Sequence, residues 1–462
     1  MHEFMCIIVL EEIVKHRRKI MHILFLFIDC IVVFLTANIM AAAVFIDRPL
    51  ATVPVGILLV LAYIAINVFP GIYRTGRFKL TVLAGGSDLL LAFMITLVPE
   101  IAVFTVMVLS GYFNLVQIIG IGIMALITEA IVFWNGIIRV YMTSVQLGLR
   151  TRILGAIFGM IFPLNIYFLI KIIVLTRREA VFEIYRVKLE ESRKGQDICK
   201  TKYPLLLVHG VFFRDSKALN YWGRTPETLI QNGAEIYYGD QQSALSVIDS
   251  AHEIAGRIEE IIRRTGAEKV NIIAHSKGGL DCRYAISNLG MDKYVASLTT
   301  VNTPHHGCLF VEHLFNKIAP SVREKMALAY NTALKKIGDK SPDFLAAVGD
   351  LRNSRVEELN AVTPDMEGVF YQSCGSMARK AKSGRFPLNV SYPLVKKYDG
   401  ANDGLVATES MKWGDNFRLV SVKGKRGVTH ADMIDLNREN VPGFDVREFY
   451  VGVVSDLKNR GF

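Results

Sequence analysis

The stretch 270–279, VNIIAHSKGG, decides how the C-terminal half of this chain folds. Its first residues, Val270 to Ala274, form a short, mostly apolar run without charge, as in a strand buried within a parallel sheet. A helix is predicted over 279–289. Between them, Ser276 is flanked two residues away by Ala274 and Gly278. That is the pattern of a sharp strand-to-helix turn that holds a serine in a strained, exposed conformation, where bulky neighbours would obstruct it. A serine at this place is also a common helix N-cap. With alanine in the first small position the pentapeptide alone leaves both readings open, and the strand before it and the helix after it favour the turn.

Working outward, 203–208 (YPLLLV) is a continuous apolar run that stops at His209-Gly210, and 234–238 and 295–301 (VASLTTV) read as further strands. Leu245, Ile248, Ile254, Ile258, Ile261 and Ile262 recur at helical spacing over 244–265, ahead of the stop signal Gly266. Strands alternating with helices predict an α/β domain with a doubly wound, mostly parallel sheet, whose functional residues lie at the carboxyl ends of the strands.

A serine hydroxyl needs a base to act as a nucleophile at neutral pH, and in this fold an acid and then a histidine follow the serine in chain order. His430 alone among the histidines lies after a plausible acid loop, beyond an expected last strand at 417–422 (FRLVSV). The loop 399–406 (DGANDGLV) supplies the acid: Asp403, with Asp399 as the alternative and an ordinary Asx turn as the bland reading. A carboxylate there would orient the imidazole and stabilise its protonated form. Two backbone N–H donors for an oxyanion fall, by position, on Lys277 and on Val211 just past His209-Gly210.

The N-terminal half is of another kind. The chain of 462 residues is 51% hydrophobic, with a mean hydropathy of +0.32, too apolar for a wholly soluble enzyme. Its net charge of +10 comes from short clusters beside apolar stretches, such as Lys15-His16-Arg17-Arg18-Lys19. These read as membrane-flanking charge, and no nucleic-acid partner is expected. The six cysteines form no C-x-x-C pair and no Cys/His cluster at metal-ligand spacing.

About five transmembrane spans are expected, near 20–46, 50–70, 82–110, 115–138 and 153–175. Asp88, Glu100 and Glu129 fall within them, where carboxylates sit near the interfaces or pair inside the bundle, the favoured reading, or belong to a proton or ion pathway. Lys15–Lys19, Arg74, Arg77, Lys79, Arg139, Arg150 and Arg152 place the N-terminus in the cytoplasm and, with five spans, the C-terminal half outside the cell membrane. Lys171, Arg177, Arg178, Arg186 and Lys188 weigh against that side. The expected organisation is an all-α transmembrane region over 1–178, a connector over 179–202 and the α/β domain over 203–462.

With these residues in place, the part from about residue 203 onward resembles the bacterial triacylglycerol lipase family. The pieces that carry the resemblance are YPLLLVHGV, AHSKGGLDCRY, VNTPHHG, VFYQSCG, NDGLV and, later, GVTHAD, in one order over more than half the chain. The resemblance implies an α/β-hydrolase with Ser276, Asp403 and His430 as triad and Val211 and Lys277 as oxyanion donors. It implies a helical lid over about 309–366, whose face with Phe310, Val311, Leu314, Phe315 and Ile318 either meets lipid or is buried as a fixed cap. It also implies a structural calcium at Asp432, two residues after the histidine, though that aspartate reads more readily as a helix N-cap. No organic cofactor is expected. The function expected is a membrane-anchored serine esterase or lipase acting on lipid esters. An acyltransferase of the same fold shares every one of these residues, and a non-catalytic membrane receptor or scaffold is the alternative from another class.

Overall fold

The computed structural model describes residues 23–46, 49–69, 75–211, 220–336, 338–414 and 416–462, with only the backbone of 49–52. Lys15–Lys19, the first residues of the span expected from 20, and Arg74 lie outside the described residues. The chain divides into two compact units, Met1–Leu189 and Glu190–Phe462.

The first unit is helical. α1 (Ile23–Ala37) and α2 (Ile39–Ile46) meet at Asn38 with a bend of 63°. They are followed by α3 (Pro49–Val68), α4 (Phe78–Ser110), α5 (Leu115–Thr143), α6 (Gly148–Phe158) and α7 (Leu164–Ser192). Among the described residues α4 and α5 are long and apolar enough to cross a membrane, or three spans if the bent pair α1 and α2 counts as one. The stretch expected as a span at 153–175 is divided between α6 and α7. The break contains Gly159 and Pro163, and proline has no N–H to continue a helical ladder. α4 and α5 pack closely because Gly86 and Gly136 face each other's helices. A methyl on Gly86 would lie 2.6 Å from Arg139 Cβ, and one on Gly136 2.8 Å from Leu90. Asp88 of α4 pairs with Arg177 of α7 at 2.6 Å.

The second unit is built on six parallel strands in the order β2-β1-β3-β4-β5-β6. In chain order they are β1 (Leu205–Val208), β2 (Ile236–Tyr238), β3 (Val270–His275), β4 (Val295–Val301), β5 (Phe370–Ser376) and β6 (Phe417–Val420). Period-two alternation sorts their side chains between two faces. Leu205, Leu207, Ile273, Val301 and Cys374 pack under α8 (Thr225–Gln231) and α16 (Val446–Asn459) with Leu229, Phe449 and Tyr450. Leu206, Val208, Ile272, Ala274 and Leu298 pack under α9 (Val247–Thr265) and α10 (Lys277–Asn288) with Ile254, Ile258 and Ile286. Each such Leu or Ile, fully buried, contributes about 1.5–3 kcal/mol. α9 starts later than its periodicity predicts because Ser246 caps it, accepting from the Asp249 N–H at 3.0 Å.

This is a doubly wound, parallel α/β sheet. The strand order reverses between β1 and β3, and at such a switch point the loops leaving two adjacent strands diverge and open a crevice at their carboxyl ends. Val208 is in register with Ala274, so His209-Gly210 and His275-Ser276 emerge side by side. Between β4 and β5 the chain leaves the sheet for α11 (Leu309–Lys317), α12 (Pro320–Lys336), α13 (Phe344–Gly349) and α14 (Asn353–Val362), the region expected as a lid. α15 (Leu388–Tyr398) follows β5.

The turn at the end of β3 tolerates no extra carbon. A methyl on Gly279 would meet Thr303 Oγ1 at 2.2 Å and Cγ2 at 2.7 Å, and Thr303 Oγ1 donates to the Ser276 carbonyl at 2.8 Å. Gly279→Ala is expected to lower stability by about 1–3 kcal/mol through overpacking, read as an earlier denaturant midpoint of tryptophan fluorescence in the detergent-solubilised full chain. An unchanged midpoint would mean that the turn is not tightly packed.

Candidate active site

Ser276 is the first residue after β3 and stands immediately before α10. Its backbone is at φ 56° and ψ −133°, a conformation that side chains with a Cβ rarely adopt and that surrounding packing must hold. Its N–H donates to Val301 O at 2.9 Å and its carbonyl accepts from the Gly279 N–H at 3.1 Å. The side chain makes no capping bond to α10, so the N-cap reading does not describe it. The small residues have defined reasons: a methyl on Gly278 would lie 2.4 Å from His209 O, and one on Gly210 would lie 2.7 Å from Ser276 Cβ. Ala274, in place of a glycine, buries its methyl in the core beneath α9 and α10.

Asp403 and His430 come together. His430 Nδ1 lies 2.6 Å from Asp403 Oδ2, and the His430 N–H donates to the Asp403 carbonyl at 3.0 Å. Asp403 has no solvent exposure, yet its carboxylate is fully engaged. Oδ1 accepts from the N–H groups of Leu405 at 2.8 Å and Val406 at 2.7 Å, and Oδ2 also accepts from Asn302 Nδ2 at 2.7 Å. The Asx turn exists as well, formed by the neighbouring residue: Asn402 Oδ1 accepts from the Gly404 N–H at 2.8 Å. Asp399, the alternative acid, instead accepts from the N–H groups of Leu309 and Phe310, both at 2.9 Å, and so caps α11. Burial pushes its carboxyl up and those two donors pull it down, the first being larger.

Val211 and Lys277 follow β1 and β3 respectively, and Gly210 packs against Ser276 as above. Lys277 opens α10, where the first N–H groups have no partner within the helix and the helix dipole favours negative charge. Its side chain is buried and turned to Asp281 at 2.6 Å and Ser250 at 3.1 Å. Burial pushes the Asp281 carboxyl up to about 7, against the pull of Lys277.

Three residues at the site carry no role in the sequence reading. Tyr221 accepts the Gly210 N–H at 3.0 Å and bonds His275 Nδ1 at 2.7 Å, tying the chain after β1 to the turn after β3. His275 is fully buried, and its ring centroid lies 4.4 Å from that of His430. Burial, reinforced by His430, holds His275 well below the usual imidazole range, which keeps a second positive charge away from His430. Asn302, at φ 51°, bonds both Asp403 and Ser376 Oγ, the latter at 2.8 Å. Its presence within VNTPHHG, just after a strand, was the available signal. Tyr221 had none.

Asp432 does not fit calcium. Arg426 grips it as a fork, Nη1 to Oδ2 at 2.6 Å and Nη2 to Oδ1 at 3.0 Å. Oδ2 also accepts from the Thr429 N–H and hydroxyl, both at 2.8 Å. A calcium ion takes six to eight oxygens, and among the described residues no group of three or more His, Cys, Asp or Glu is arranged to hold a metal. The guanidinium supplies the positive charge, and its Nη2 reaches on to Glu439 at 2.9 Å.

The parallel sheet with a strained serine at its switch point, and an acid-histidine pair from later loops, defines the class: an α/β-hydrolase. No family model matches the chain. It is 30% identical over 253 residues to a triacylglycerol lipase of Vibrio cholerae serotype O1, covering 48% of this chain and 80% of that protein. It is 25% identical over 264 residues to triacylglycerol lipase 2 of Saccharomyces cerevisiae, covering 53% and 75%. The crystal structure of a Bacillus licheniformis lipase in its mature form aligns with 51% of this chain and 88% of its own, at 22% identity and a TM-score of 0.38. The chain belongs to the triacylglycerol lipase family and is a carboxylic ester hydrolase.

The arginine fork generates a prediction. Excess EDTA is expected to leave both thermal midpoint and ester hydrolysis unchanged. Arg426→Met, which strands a buried carboxylate, is expected to cost about 3 kcal/mol, with Arg426→Met/Asp432→Asn recovering much of it. A midpoint lowered by EDTA and restored by calcium would contradict this account of Asp432.

Proposed function

We propose that the protein is a membrane-anchored serine hydrolase of lipid carboxylic esters in which Ser276 is the nucleophile, His430 the general base and Asp403 the residue that orients it. Ser276 Oγ attacks the ester carbonyl while its proton passes to His430 Nε2, the nitrogen left available when Nδ1 faces Asp403. The oxyanion so formed is received by the N–H groups of Val211 and Lys277, aided by the N-terminus of α10. Collapse of the intermediate breaks the C–O bond, and His430 returns the proton to the leaving alcohol. Water then attacks the acyl-enzyme, giving its proton to His430, and Ser276 is regenerated as the free acid departs.

The observation that carries this reading is the 2.6 Å contact of His430 with a fully buried, fully hydrogen-bonded Asp403, following in chain order a serine held at φ 56°. Preorganisation of this kind orients the imidazole without any movement at the moment of reaction. The relatives named triacylglycerol lipase support an ester as substrate. The two or three long apolar helices support anchoring in a bilayer, and a bilayer-held site favours esters of membrane lipids over a bulk triglyceride phase. Of the face expected to meet lipid, Phe310 and Val311 are buried against Val395 as in a fixed cap; the apolar side chains that the helices between β4 and β5 expose are Leu309, Val322, Met326 and Leu328, a surface suited to a lipid interface if these helices act as a lid.

The test is hydrolysis of p-nitrophenyl esters of graded chain length and of diacylglycerophospholipid in vesicles, by the detergent-solubilised full chain. Ser276→Ala and His430→Ala are expected to lower kcat by about 10^4-fold or more, and Asp403→Asn by about 10^4-fold. Tyr221→Phe loses a tie that positions Gly210-Val211 and is expected to lower kcat roughly tenfold with KM unchanged, less than removing an oxyanion donor outright. A correctly folded wild type that hydrolyses none of these esters, or a Ser276→Ala variant that retains activity, would overturn the proposal.

A further inference from the structure

In the helical unit, four helices bring together buried oxygen atoms that ester hydrolysis does not use. α1 turns Cys30, Val33, Thr36 and Ala37 inward, each less than a tenth exposed. At the 63° break that ends it, Asn38 Nδ2 donates to Glu100 Oε2 of α4 at 2.7 Å. Glu129 of α5 lies within electrostatic reach of Cys30 on α1, of Tyr63 on α3 and of Glu100, and beside Thr96 of α4. Thr96 gives its hydroxyl proton to its own helix at Ala92 O, 2.9 Å, and Tyr63 gives its own to Thr128 O at 2.8 Å. Glu100 and Glu129 are each 5% exposed and Thr36 is 2% exposed.

Within this group, Glu129 Oε1 and Oε2, Glu100 Oε1, Asn38 Oδ1 and Thr36 Oγ1 have no hydrogen-bond partner. All are oxygens, four of them acceptors only when the carboxylates are ionised. Among the described residues neither glutamate has an ion pair, whereas Asp88, on the same helix as Glu100, has Arg177. An ionised carboxylate buried in this way is so costly that it is neutralised. A bound proton meets the demand with the least geometry, cancelling a charge and converting an orphaned acceptor into a donor. A calcium ion would call for six to eight oxygens, and no three His, Cys, Asp or Glu side chains among the described residues are arranged to hold a metal.

We infer that Glu129 and Glu100, with Thr36 and Asn38 at the break between α1 and α2, form a proton-binding site inside the helical unit. Among the described residues the titratable groups coupled to Glu129 are all acids: Cys30 from α1, Tyr63 from α3 and Glu100 from α4, while α2 contributes none. Ionisation of any of them further opposes a charge on Glu129. Removing that proton at alkaline pH leaves an unpaired charge inside the bundle, and the helical unit is expected to lose stability with it.

The experiment is infrared spectroscopy of the full chain in lipid nanodiscs, comparing wild type with Glu129→Gln and Glu100→Gln, with folding followed by helical circular dichroism. The wild type is expected to show a protonated-carboxyl C=O band at neutral pH that shifts in D2O, fades toward alkaline pH together with the helical thermal midpoint, and is diminished in each variant. Should a variant not fold, the alkaline titration of the wild type decides. Absence of the band from folded wild type at neutral pH would overturn the inference. So would a band equally strong in both variants, or a midpoint raised at constant pH by sodium, potassium or calcium in wild type but not in Glu129→Gln, which would assign the site to a metal cation.

Discussion

The hydrolase unit depends on how closely the chain leaving β1 approaches the turn leaving β3. Ser276 sits in a backbone conformation that its own side chain disfavours. That conformation persists only because Gly210, Gly278 and Gly279 let His209, Thr303 and the serine itself close in from three sides. The parallel register of β1 with β3 sets this approach. The bonds from Tyr221 to the Gly210 N–H and to His275 fasten it. Strain at the serine is thus balanced by packing and hydrogen bonding in the two strands beneath it, and the same contact holds Gly210 against Ser276.

Electrostatics organise the pair Asp403 and His430. Asp403 is removed from water and yet meets donors on every flank: two backbone N–H groups, Asn302 and His430. A carboxylate so held stays in one orientation, and the imidazole bonded to it inherits that order. The loop that carries His430 is secured by Arg426, which joins Asp432 and Glu439 in the manner of a bound cation. Arg426 supplies that positive charge from within the chain. In the helical unit the opposite situation holds at Glu129, where both oxygens lack donors.

Much of this was legible in the sequence, for physical reasons. Buried parallel strands are short apolar runs, so 203–208, 270–274 and 295–301 stood out, and the order serine, acid, histidine left Asp403 and His430 as the pair that the fold brings together. β5 reads in sequence as the motif VFYQSCG and not as a strand, because Gln372, Ser373 and Ser376 interrupt its apolar pattern. The arginine fork was invisible: nothing in the local spacing of Arg426, Asp432 and Glu439 distinguishes a guanidinium from a calcium ion as the carboxylate's partner. Tyr221 is equally hidden, since its partners are Gly210, just past β1, and His275, at the end of β3. Asp88 and Glu129 look alike in sequence, as single carboxylates in apolar blocks. Their difference lies in Arg177, distant in the chain, which reaches the first and not the second.

The central claim is that Ser276 is the reacting atom's bearer, and the most direct measurement is to map a covalent adduct. The detergent-solubilised full chain is treated with a fluorophosphonate, digested, and the modified peptide identified by mass spectrometry. The account predicts a single adduct on Ser276, formed far more slowly when His430 is replaced by alanine. An adduct on another residue, or none on a folded protein that hydrolyses esters, would contradict it.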